Sequence, residues 1–164
     1  MKLHSGWIAG VLLLSVIFAC DLSNKNSNNS NNSNKNKNSN SSSPPVTHRP
    51  ANADVYIDRI YMAKDNKGKP GAEAQSFDPS DRTVYCVIVL NKAKKGVNVR
   101  YVWKAVDVED RKDEEIKTLE YTTNSFEKEV QGNLQFSTEW PKGTYRVEVY
   151  INENLDKTID YTVE

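Results

Sequence analysis

"VYCVIVLNKAKKGVNVRYVWKAVDV", residues 84–108, decides the fold. Two runs rich in β-branched and aromatic residues flank a basic turn that ends in glycine. In the second run Val97, Val99, Tyr101 and Trp103 alternate with Asn98, Arg100 and Lys104. A repeat of two residues places one set of side chains against a core and the other in water, which is a half-buried strand. The stretch therefore predicts two strands, 82–90 and 97–108, joined by the tight turn 91–96.

The same pattern extends outward in both directions. "VYIDRIYMA" (55–63) predicts a strand before this pair, and "IKTLEYTT" (116–123) one after an acidic turn, "EDRKDEE" (109–115). "NLQFSTEW" (133–140) predicts another, and "SFEKEV" just before it an extra edge piece. "TYRVEVYIN" (144–152) alternates cleanly, and after the turn "ENLD" the segment "KTIDYTV" (157–163) closes the set. No segment carries a sustained 3.6-residue apolar period, so helices are expected to be minor. About seven short strands with recurrent turns predict an all-β sandwich over residues 54–164, one domain of roughly 110 residues.

Within that frame, Cys86 falls mid-strand, Trp103 stands on the next strand, and Tyr145 opens the next-to-last strand with Val147 two residues on. This arrangement resembles immunoglobulin and fibronectin-type domains, in which a Cys, a Trp and a Tyr-x-Cys occupy such places. The resemblance implies a Tyr145 corner hydrogen bond and a core plugged by Trp103. Val147 stands where the second cysteine would be, so no inter-sheet disulfide can form. Cys86, between Tyr85 and Val87, reads as a small buried hydrophobe.

The N-terminus is different. "MKLHSGWIAGVLLLSVIFAC" places Lys2 before an apolar run of about 13 residues, too short to span a bilayer, which needs about 20, and fitting a secretory signal. Ile17, Ala19 and Cys20 resemble the lipobox of bacterial lipoproteins. The resemblance implies a signal peptide over 1–19, a diacylglyceryl thioether (and further palmitate-type acylation) on Cys20, and attachment to the bacterial cell envelope on the extracytoplasmic side. Two acyl chains hold where one is marginal, at ~0.8 kcal/mol per buried methylene. Residues 20–53 continue as an Asn/Ser-rich tether with no apolar set to bury. About 30 such residues span roughly 30 Å on average and roughly 100 Å fully stretched.

The chain is neutral overall, but residues 54–164 hold seventeen basic and twenty-one acidic residues, a net of −4. That sign, without a basic stripe, argues against nucleic acid. The only histidines are His4, in the signal, and His48, in the tether. This leaves no Ser-His or Cys-His nucleophile, and the cluster Asp107–Glu115 lacks the glycine and spacing of a calcium loop. No cofactor, no metal and no enzymatic activity are expected. The expected role is a lipid-anchored binding or assembly module for a protein partner or for self-association. The alternatives are a carbohydrate-binding module, using Trp140 and Tyr145 of "WPKGTY", and a hydrolase using surface carboxylates. The expected contact surface is an apolar patch on an outer sheet face around Tyr85 and Val87, unless segment 64–81 folds over it.

Overall fold

The computed structural model describes residues 43–164, and every element in that range is a strand. In chain order these are β1 (Val46–Thr47), β2 (Ile57–Asp65), β3 (Pro70–Glu73), β4 (Ser76–Phe77) and β5 (Thr83–Leu90). There follow β6 (Asn98–Val108), β7 (Arg111–Thr122), β8 (Glu129–Gln135), β9 (Gly143–Ile151) and β10 (Asn154–Val163). One sheet runs β3-β2-β5-β8 and the other β1-β10-β9-β6-β7, with β4 also beside β10. The inward sets of both sheets meet in one core that includes Ile57, Cys86, Trp103 and Val147. This is an all-β sandwich with an immunoglobulin-like order of strands: the first, second and fifth principal strands face the third, fourth, sixth and seventh.

The features implied by the resemblance are present. Trp103 is fully buried and lies directly opposite Val147 on the neighbouring strand. The Tyr145 hydroxyl donates to the carbonyl of Pro141 at 2.7 Å, the corner bond that pins the start of this strand. Its ring stacks on Tyr161 at 5.3 Å and 17°. Gly143 must be glycine: at φ +148° a Cβ there would stand 2.3 Å from the carbonyl oxygen of Asp107.

Four expectations need correcting. The acidic turn shrinks to Glu109 and Asp110, because Arg111–Thr122 pairs with β6 along its length. The strand expected at 133–140 lies at 129–135, and residues 136–140 form no strand. The last hairpin turns on Asn152 and Glu153 alone, both at positive φ, the pattern of a primed two-residue turn. The stretch assigned to the tether reaches the sheet, since Val46 and Thr47 pair with Thr158 and Lys157.

Candidate binding surface

The polarity of the strands gathers three connections at one end of the sandwich: residues 91–97, residues 123–128 and the turn Asn152–Glu153. The lead into β2 arrives at the same end. In immunoglobulin variable domains, loops clustered at one end of the sandwich carry recognition.

Thr123 sews the first two connections together. It is buried, its hydroxyl donates to the Lys94 carbonyl at 2.5 Å, and the same oxygen accepts the N–H of Val97 at 3.1 Å. Main-chain bonds run both ways beside it, from Gly96 to the Thr123 carbonyl at 2.9 Å and from Thr123 to the Val97 carbonyl at 3.0 Å. Asn152 is joined to the set through Asn98, whose carbonyl accepts its N–H and whose N–H it receives on its side-chain oxygen.

The 123–128 connection presents Phe126, which is 92% exposed. Its backbone is fixed rather than its ring. The Asn124 side chain accepts the Phe126 N–H at 3.0 Å, and Glu127 accepts the Asn124 N–H at 2.8 Å. Glu127 also accepts the hydroxyl of the half-exposed Tyr121 at 2.5 Å. The Tyr121 bond, then the Asn124 bond, hold the Glu127 carboxyl below its usual range. Lys92, Lys94, Lys95 and Lys128 surround this end against Asp54 and Glu127. Lys92 and Lys94 both reach Asp54 and lower its carboxyl.

Beside these loops lies a recess of about 200 Å³, lined by Asp54, Lys94, Asn152, Asn154 and Asp156 among others. Asp156 is the extra residue of a β-bulge in β10, between Leu155 and Lys157. The bulge turns its carboxylate inward, where Oδ2 accepts the N–H of Ile57 at 3.3 Å and burial raises its pKa. Its carbonyl takes the N–H of His48 at 2.7 Å. The residue thus ties both sheets and the incoming chain.

The expected patch at Tyr85 and Val87 is not open. Tyr85 is 4% and Val87 0% exposed; with Ala63 they form a second, smaller cluster, with Tyr61 packed on it. The Arg59 guanidinium lies over the Tyr61 ring and is paired with Glu73. Tyr61 and Ala63 pack against Tyr85 and Val87, and a bulge at Asp58 turns both Ile57 and Ile60 into the main core, so Ile57 does not extend the outer patch. Segment 64–81 extends the sheet edges as β3 and β4 and sends Phe77 into the main core.

Trp140 and Tyr145 offer no sugar platform. Trp140 is 2% exposed and packs against Phe136 and Tyr145. Among the described residues, no group of three or more His, Cys, Asp or Glu side chains could hold a metal ion. Cys86 is a buried free thiol whose pKa burial pushes well up. Cys20 lies outside the described residues.

No family model matches the sequence, and no curated protein matches it. Among solved structures the chain is similar to an immunoglobulin-like protein from Pseudomonas aeruginosa. The two are 15% identical with a TM-score of 0.47, over 70% of this chain and 100% of that one.

Proposed function

We propose that this chain is a lipid-anchored binding module of the bacterial envelope, held at Cys20 and carrying its immunoglobulin-like sandwich on the Asn/Ser-rich tether. The partner is a protein, engaged through the 91–97 and 123–128 connections. One observation carries the reading: Phe126 stands almost wholly in water on a backbone fixed by Asn124, Glu127 and Thr123. Aromatic residues on preorganised backbone are the usual anchors of interfaces, because little further ordering is lost on binding. Apolar exposure of this kind costs solubility and returns nothing to the fold.

The tether geometry supports the same end. β1 runs antiparallel to β10, so the chain passes Val46 and Thr47 moving toward the loop end. The chain thus enters β1 from the end of the sandwich that carries Glu164, and the loops point away from that end. The test compares wild-type full chain with Phe126→Ser in recovery of interacting proteins from the native envelope. The Ser variant keeps the wild-type melting temperature and loses the partner. Unchanged recovery overturns the reading.

A further inference from the structure

Every sheet edge but one carries a feature that discourages pairing. β10 is flanked by β1 and β4, and β2 by the four-residue β3, which begins with Pro70. β7 has seven charged residues among its twelve and a bulge at Ile116. Charges, bulges, prolines and short covering strands are the means by which edges are kept from other chains. β8, "EVQGNLQ", has one charged residue, no Lys, no Pro and no bulge along seven residues, and among the described residues only β5 pairs with it.

The ladder fixes which of its main-chain groups face outward. Leu90 donates to the Lys128 carbonyl at 2.8 Å and Phe136 to that of Arg82 at 3.0 Å, at the two ends of the β5–β8 pairing. In an antiparallel ladder bonded pairs alternate with unbonded ones. Val130, Gly132 and Leu134 therefore bond to β5, and Glu129, Gln131, Asn133 and Gln135 direct N–H and C=O away from the sheet.

We infer that β8 is a self-complementary edge at which two copies of this chain join antiparallel about a two-fold axis through Gly132. This goes beyond the loop-end reading and does not depend on it. That register uses all seven residues. It places Glu129 opposite Gln135 of the second copy and Gln131 opposite Asn133 of the second copy, so amides meet amides and no like charges oppose each other. The two edges are the same patch, as a two-fold contact requires. The four outward residues then form bonded pairs, and the four-stranded sheet continues into its copy. Val130 and Leu134 already point into the core and need no rearrangement.

Sedimentation of the full chain in detergent micelles, over a hundredfold range of concentration, tests this. Wild type shifts from monomer to dimer. Gln131→Lys with Asn133→Lys sets lysine against lysine twice across the axis and weakens dimerisation at least tenfold. Gln131→Lys with Asn133→Glu sets lysine against glutamate and restores it. Asn133→Pro, which removes an N–H that faces outward, blocks it independently of charge. A wild type that stays monomeric overturns the inference, as does a dimer indifferent to the double-lysine and proline variants. A charge-exchanged variant that folds but fails to re-form the dimer overturns the register.

Discussion

The Asp156 carboxylate accepts the main-chain N–H of Ile57 across the sandwich, joining the last strand of one sheet to the first principal strand of the other. Its second oxygen has no hydrogen-bond partner among the described residues, and burial raises its pKa while the Ile57 bond, then the charges of Arg49 and Lys157, partly offset that rise. A raised acid favours the fold below its unfolded value, and that contribution is lost as pH rises through the folded one. Asp156→Asn keeps an acceptor for Ile57 without a buried charge. We expect it to be at least as stable as wild type at pH 7, with the difference closing as pH falls below about 4. Denaturant melts at both pH values decide. A loss above about 1 kcal/mol at pH 7, the worth of one hydrogen bond, would show that the ionised form is net favourable.

Glu148 has the opposite sign. Burial opposes its charge, but bonds from Lys104 at 2.9 Å and Tyr150 at 2.9 Å outweigh it and lower the pKa. Its contribution is present above the unfolded value and lost as pH falls through the folded one. Lys104→Met should therefore flatten the acid limb of the stability profile, and an unchanged limb would assign the acid loss to other carboxylates.

Trp103→Ala should cost about 3–5 kcal/mol through the cavity left opposite Val147. A loss below about 1 kcal/mol would be incompatible with the packing described. In the same melts, Cys86 should react with a thiol reagent only as the chain unfolds; fast labelling of the native protein would contradict its burial.

Thr123→Val keeps shape and removes the hydroxyl shared by Lys94 and Val97. The orphaned groups should cost about 1–3 kcal/mol. Amide exchange at Gly96 and Val97 should quicken more than exchange in β9. Uniform quickening across the domain would mean that Thr123 does not act locally.

Cys20→Ser should abolish incorporation of labelled palmitate in cells. Equal labelling of both forms would remove the lipid anchor from the proposal.

The strands that alternate over most of their length, β6 as far as Ala105, β9 and most of β10, were legible because a period of two needs no tertiary information, and β5 was legible as a short apolar run bounded by turns. The tyrosine corner was legible because Tyr145 follows a turn that ends in Gly143. What broke the reading were the bulges at Asp58, Val106, Ile116 and Asp156, each of which inverts the faces beyond it. β8 was placed four residues late because its first half, Glu129–Gly132, carries no run of β-branched or aromatic residues and includes a glycine. That glycine, Gly132, is a strand residue, since a Cβ there would come within 3.0 Å of the Tyr101 ring. β7 begins early because Arg111–Glu115 pair through their backbones, to which side-chain charge is indifferent. Phe126 drew no notice in sequence, lying among charges with no periodic partner. Its exposure follows from the loop geometry set by Asn124 and Glu127.

The two-residue β1 also has a mechanical consequence. Any load reaching the domain through residues 21–45 meets Val46 and Thr47 first, then Arg49, which bonds the Ile57 carbonyl at 3.1 Å and lies 3.9 Å over the Tyr56 ring. These contacts yield before β2, which is laced to β5 along its length and locked by Asp156 at Ile57. Detaching residues 46–54, up to the first core residue Val55, releases roughly 30 Å of chain at ~3.3 Å per residue. A pull on the N-terminal side of the domain is thus taken up by a slack length before any core strand is disturbed.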